Sequence, residues 1–137
     1  MKEYPIIMSK KSIDDILAGR KTATRRVCNI GTFGGPGYSA RVGDLLWVRE
    51  AWVDDSGAKK PPLFMPKRKA RLWLKVTSKG TQFLCQMTDQ DAHEEGYNSV
   101  EEYRQAWNEL NAQRGYPWRR ERLVWVIRFE VCNPPTK

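Results

Sequence analysis

Apolar positions recur with two periods along the chain, and the changes between them mark its elements. Residues 4 to 9 are apolar and extended in character, with Ile6, Ile7 and Met8 in succession. Ile13, Ile16 and Leu17 then fall at i, i+3 and i+4, the spacing of one helix face. Ser12 is placed to cap that helix, Asp14 and Asp15 suit its positive end, and Gly19 can close it. Gly31 to Gly37 is so rich in glycine that only a loop fits. After the turn at Val42-Gly43-Asp44, residues 45–52 read as a strong strand, 70–77 alternate in polarity as another, and 82–86 form a third. Between them, residues 54–66 are rich in Pro, Gly and Lys and predict a long loop of the kind that is often functional. Thr88-Asp89-Gln90-Asp91 starts a short helix that Gly96 stops. Ser99-Val100-Glu101-Glu102 fits a capping box for a helix through Asn111, with Val100, Tyr103, Trp107 and Leu110 at helical spacing. Residues 123–131 are the clearest strand of all. Strands at both ends with short helices in the connections predict an α+β fold, arranged as a small mixed barrel.

Composition narrows the class. At 137 residues, 40% of them hydrophobic and six of them tryptophan, one domain spanning residues 1–137 can bury a core without disulfides, and a disordered chain is excluded. The longest apolar runs, such as Leu45-Leu46-Trp47-Val48, are too short to cross a bilayer, and residues 1–5 lack the apolar stretch of a signal peptide. The expectation is a soluble, cytoplasmic monomer that makes no use of a membrane. Cys28, Cys85 and Cys132 are odd in number and widely spaced, which predicts buried free thiols rather than a disulfide framework or a zinc site. His93 is the sole histidine, so every site that needs two is excluded. No Gly-x-Ser-x-Gly turn accompanies it.

The formal charge of +8 is unevenly spread. Residues 88–111 carry seven acids against one base, Arg104, a net of −6 that leaves +14 on the remainder. The bases gather at Arg20, Lys21, Arg25 and Arg26, at Lys59, Lys60, Lys67, Arg68, Lys69 and Arg71, and at Arg114, Arg119, Arg120 and Arg122. A basic body with interleaved aromatics is the footprint of a protein that meets phosphates, although a solvated basic surface gives the same pattern.

Chemistry concentrates in Gly19-Arg20-Lys21-Thr22-Ala23-Thr24-Arg25-Arg26. If this segment is extended, Thr22, Thr24 and Arg26 share one face. Lys21 then meets Thr24 only if the backbone turns or the lysine stem reaches around. A threonine hydroxyl is a weak nucleophile unless a base takes its proton. A lysine made less basic by burial and by neighbouring arginines can do so. A carboxylate from elsewhere is still needed to manage the leaving group's protons. Basic residues pointing to solvent from a helix-to-strand connection are the plainer alternative.

The run Asp14 to Arg26 resembles the signature of the ASCH domain family, a PUA-like β-barrel: Gly-x-Lys-x-x-(Thr or Glu)-x-Arg is matched by Gly19, Lys21, Thr24 and Arg26. Residues 42–52, Met65-Pro66-Lys67 with Arg71, Asp91-Ala92 with Glu95-Gly96, and residues 124–129 resemble stretches of phage and prophage members, which implies a bacterial or phage-infected cell. Small bacterial members are amidohydrolases that remove the acyl group from N4-acetylcytidine with a Lys, Thr and Glu triad. The resemblance therefore implies Lys21, Thr24 and Glu95 as catalytic residues, with Glu94 selected instead by a one-residue slip. It implies a nucleoside substrate and no metal or other cofactor, with Tyr38, Trp47 or Trp52 stacking on the pyrimidine. The chain departs from those enzymes in its length, in the 54–66 insertion, and in Arg25, where they tend to carry an apolar residue. A rival reading is an RNA-binding module, with Lys21, Arg25, Arg26, Lys67, Arg68, Lys69 and Arg71 as contacts for the nucleic acid. Metal-dependent RNA cleavage, known of some members, finds no compact cluster of metal-ligand spacing in this sequence.

Overall fold

The computed structural model describes residues 1–28 and 39–135. The glycine-rich run at 31–37 and Tyr38 lie outside the described residues. Five strands form one mixed sheet in the order β1-β3-β6-β7-β2: β1 (Glu3–Ile7), β2 (Ala23–Val27), β3 (Leu45–Arg49), β6 (Trp73–Phe83) and β7 (Leu123–Cys132). Only β1 and β3 run parallel; every other pairing in this sheet is antiparallel. The two outer strands approach one another where Arg26 Nη2 donates to the Ile7 carbonyl at 3.0 Å. Helix α1 (Lys10–Leu17) joins β1 to β2, while α2 (Asp89–Glu94) and α3 (Val100–Asn111) lie between β6 and β7 in sequence.

Alternation along β7 sorts the core into two layers. Ile127 and Phe129 face one cluster with Ile6, Ile13, Ile16, Leu46, Val48, Leu74 and Val76. Val124 and Val126 face the other way, against Leu84, Met87, Ala92, Tyr103 and Trp107. In this second cluster, Trp118 meets Tyr103 and Trp107 edge-on, with ring centroids 6.2 and 6.4 Å apart. A third, smaller cluster joins Leu45, Trp47 and Trp73 to Met65 from the connection after β3.

Several expected elements shift. Helix α1 begins a turn earlier than the pattern predicts, capped by Ser9, whose hydroxyl accepts from the Ser12 amide at 3.2 Å. Ile13 and Ile16 are buried as expected, but Leu17 and Leu110 are exposed, because only part of each helix face meets the sheet. The strands expected at 70–77 and 82–86 join into one eleven-residue strand, β6, with a register shift between Val76 and Ser78, and Leu84–Gln86 leave it as a 3-10 turn. Its polar middle is held by the β7 ladder on the other side. The loop expected at 54–66 contains β5 (Lys59–Lys60), which pairs with β4 (Trp52–Val53) as a two-residue hairpin. The cysteines are free, but none is buried: Cys85 is exposed and the other two are half-buried.

The parallel β1–β3 register rests on a buried carboxylate. Asp44 accepts the Lys2 amide on one oxygen and the Arg41 amide on the other, each at 2.9 Å, beside the Leu45 amide bonded to the Lys2 carbonyl. Those two backbone donors hold its carboxyl below the ordinary value of 3.8. The native state thus binds fewer protons than the unfolded chain near that pH, so the stabilisation is present above 3.8 and lost as pH falls through the lower native value. Urea midpoints of wild type and Asp44→Ala, measured over a pH series, will differ most near neutrality and converge in acid.

Candidate active site

Two helix ends build the site. Gly19, at φ +79°, turns the chain out of α1, and the Arg20 and Lys21 amides both donate to the Asp15 carbonyl, at 2.8 and 3.1 Å. Helix α2 begins at Thr88, whose hydroxyl and the Asp91 carboxylate cap one another's amides, and it ends at Glu95 followed by Gly96 at φ +91°. A β-carbon on Gly96 would sit 2.8 Å from Asp15 Oδ2, so only glycine lets the two ends approach this closely. The Thr22 amide donates to the Glu94 carbonyl at 2.8 Å, and Lys21 and Glu95 form an antiparallel bridge. Residues 74 apart in the chain are therefore joined through their backbones before their side chains meet.

The side chains complete the join. Lys21 Nζ donates to Glu95 Oε1 at 2.8 Å, with the two residues 6% and 3% exposed. Glu95 Oε2 accepts from Arg25 Nη1 at 2.9 Å. Arg25 Nε in turn donates to Gln82 Oε1 at 3.0 Å, and its Nη2 lies 3.4 Å from Asp91 Oδ1. Burial pushes the Lys21 ammonium below its ordinary value of 10.5; Glu95 opposes that shift, and Arg26 and Arg25 add to it. Burial would raise Asp91, but the Thr88 amide, Gln82 and Arg25 outweigh it and hold this carboxyl below 3.8. Beside them Arg128 grips Glu94 through two bonds, at 3.2 and 3.0 Å. Burial, with Glu95 next in effect, raises the Tyr103 hydroxyl well above 10.

Thr24 is 3% exposed and pairs with Ile127 across the β2–β7 ladder, on the opposite face from Arg25, which pairs with Val126. Its hydroxyl accepts from Arg26 Nε at 3.1 Å. Among the described residues it makes no hydrogen bond to Lys21 or Glu95. The strand alternation expected for Thr24 and Arg26 thus holds, while Lys21 stands ahead of β2, which begins at Ala23. A cleft of about 350 Å³ opens beside the network, lined by residues that include Arg25, Ser78, Gly80, Gln82, Gln86 and Arg128. Gly80 pairs with Val126 and presents no side chain to it.

The other singled-out residues lie apart from this cluster. Arg25 is not a surface contact for phosphates: its side chain is fully buried because its β2 register aims it at α2. Arg26 is half-buried and tied to Thr24 and Ile7. Lys67 pairs with Glu3, Arg68 with Asp55, and Arg71 with Glu50 through two bonds, all at the surface. Trp52 is half-buried, with its indole N–H on the Pro61 carbonyl. Trp47 is buried, and Arg49 lies over its ring. Sequence reasoning overlooked Gln82, Asp91 and Arg128 as members of the network. The acidic segment signalled that cations must face α2, but nothing local said which. Among the described residues no group of three His, Cys, Asp or Glu is placed to hold a metal ion, and no helix is long and apolar enough to cross a membrane.

No protein-family model and no curated protein sequence matches the chain. Solved structures do. An ASCH domain from Lactobacillus crispatus matches with a TM-score of 0.58 at 20% identity, over 95% of this chain and 79% of that one. The fold is that of an ASCH domain. A protein from Pyrococcus furiosus matches with a TM-score of 0.54 at 14% identity, over 96% of this chain and 99% of its own. A mutant ASCH protein from Zymomonas mobilis gives 0.53 at 11% identity, over 95% and 70%. This likeness is one of architecture, a mixed sheet with short helices. Within this ASCH fold, burial works hardest against the charge on Lys21, Glu95 favours it, and Arg26 and Arg25 add smaller opposition. Arg25→Met will raise the Lys21 pKa and Glu95→Gln will lower it, as read from the side-chain ¹³Cε shift titration of lysine-labelled protein.

Proposed function

We propose that the protein is an amidohydrolase that removes the acyl group from an N4-acylated cytosine nucleoside, using Lys21, Thr24 and Glu95. One observation carries the reading: a lysine with depressed basicity is held 2.8 Å from a buried glutamate, at the end of a strand that carries a buried threonine. A catalytic base must be available in its neutral form near the working pH, and a lysine in water is not. Burial acts in that direction here, the arginines reinforce it, and Glu95 opposes it.

In this reading neutral Lys21 takes the Thr24 proton, directly or through a water molecule. The Thr24 oxygen attacks the amide carbonyl, and the proton taken up by Lys21 passes to Glu95 and from it to the departing cytosine amine as the C–N bond breaks, leaving an acyl-enzyme. Water, oriented by Glu95, gives that carboxylate a proton and attacks the ester; the ester C–O bond breaks, the proton passes through Lys21 to the Thr24 oxygen, and the acid is released. The Arg26 guanidinium donates to the Thr24 oxygen at 3.1 Å, and a cation at that position favours the oxygen as an anion. Lys21, once protonated, stabilises the oxyanion on the carbonyl. A mechanism in which Thr24 only positions a water, activated by Lys21 or Glu95, uses the same groups and differs in forming no covalent adduct.

The direct assay follows loss of the acetyl group from N4-acetylcytidine. Wild type will turn it over, while Lys21→Met, Thr24→Ala and Glu95→Gln will each lose at least about a hundredfold in kcat. Leu110→Ala, on the exposed side of α3, will not change it. An acetyl group on Thr24 in mass spectra of quenched reactions distinguishes the nucleophile from the water-positioning role. No turnover by wild type above the enzyme-free rate overturns the proposal for this substrate.

A further inference from the structure

Arg25 takes no part in the proton transfers assigned to Lys21, Thr24 and Glu95, yet it is the most deeply buried charge beside them. Its side chain is 0% exposed, against 6% for Lys21 and 3% for Glu95. Three contacts fix it. Nη1 donates to Glu95 Oε2 at 2.9 Å, Nε donates to Gln82 Oε1 at 3.0 Å, and Nη2 lies 3.4 Å from Asp91 Oδ1. Gln82 is anchored in turn, its amide nitrogen donating to Asp91 Oδ2 at 3.1 Å and to the Gln86 carbonyl at 3.4 Å. The guanidinium plane is thus held from β6 and from α2, with one edge on Glu95.

A buried charge is tolerated only where an opposite one meets it. Lys21 and Arg25 converge on a single carboxylate, so the trio holds two cations and one anion. The surrounding groups leave that surplus in place. Arg128 on β7 grips Glu94 and lies 3.7 Å from Asp91, the acid that also faces Arg25. Arg26 on β2 bonds the Thr24 hydroxyl and the Ile7 carbonyl and has no carboxylate partner among the described residues. Arg25, Arg26 and Arg128 therefore balance Asp91, Glu94 and Glu95, and the charge left over is that of Lys21. On the α1 side Asp15 is taken by Lys11 and Arg20, and burial keeps the Tyr103 hydroxyl of α3 neutral. An arginine does not give up its proton in a protein, whereas a buried lysine does.

We propose that Arg25 is a positioning residue for the hydrolysis: as the permanent counter-ion of Glu95, it lets Lys21 enter the reaction without its proton and sets the pH range over which the enzyme works. This rests on the amidohydrolase reading. Arg25 acts through Glu95 and Lys21 rather than on the substrate.

Rates of N4-acetylcytidine hydrolysis measured across pH test it. Wild-type kcat/KM will rise with pH as Lys21 loses its proton. On that rising limb Arg25→Met will fall about tenfold below wild type, and on the plateau beyond it the two will agree within about threefold. The loss will lie in kcat, with KM nearly unchanged. Arg25→Lys keeps the cation and will follow the wild-type limb. Gln82→Leu keeps Arg25 but unties its guanidinium, and its limb will lie between those of wild type and Arg25→Met. A merely structural Arg25 predicts instead equal losses at every pH, with Arg25→Lys as damaging as Arg25→Met. That result, or coincident profiles for wild type and Arg25→Met, overturns the proposal and leaves the hydrolase reading standing. If Arg25→Met does not fold, Gln82→Leu decides: a limb that coincides with the wild-type one overturns the proposal. No turnover by wild type removes the hydrolase reading and this proposal together.

Discussion

A carboxylate taken out of water costs several kcal/mol unless opposite charge meets it at close range. Glu95 is such a group, and it is met twice, with one oxygen on Lys21 and the other on Arg25. This arrangement ties the end of α2 to the start of the edge strand β2, where few other ladder bonds are available. It also explains the polarised sequence. The acids Asp91, Glu94 and Glu95 gather along the short helix α2 and its C-cap because Arg25, Arg128 and Lys21 arrive there from two strands and a turn. Removing one partner would leave a buried charge unmatched, so these residues stand or fall together.

The sheet divides the chemistry between its two faces. Alternation along β2 sends Arg25 toward α2 and sends Thr24 with Arg26 toward the main core. Lys21 precedes the strand, so the alternation does not bind it, and its stem carries the ammonium to Glu95. Its charge is pulled both ways: burial and two arginines disfavour it and one carboxylate favours it. A group in that balance changes protonation more readily than a lysine in solvent. The insertion between β3 and β6 is a separate matter, seated through Met65 on the outer tryptophan cluster.

Much of the fold is legible in the chain because its clearest segments satisfy local and global demands together. Strand β7 is nearly continuous in apolar and β-branched residues, and Ser99 with Glu102 announces the start of α3. Where the two demands part, the pattern misleads. The stretch from Ser78 to Gln82 is too polar to read as a strand, yet the neighbouring β7 pairs with it through a bulge and makes one long strand from two apparent ones. Ser9 and Ser12 both have the side chain for a cap, and packing of Ile13 and Ile16 against the sheet selects the earlier start.

The sequence by itself determined which chemical groups exist: a lysine and a threonine near a helix stop, a concentrated set of acids, a basic remainder and the alternation that separates Thr24 from Arg25. Only the tertiary structure decided which of them meet. Lys21 and Glu95 are brought together by a backbone bridge between distant segments, and Glu95 meets Lys21 while its neighbour Glu94 is held by Arg128. Arg25 has the composition of a phosphate contact and becomes a buried partner of a carboxylate because its register with Val126 aims it inward. Side-chain type is local information, whereas burial and pairing depend on which strands lie side by side, and that is set by the packing of the whole chain.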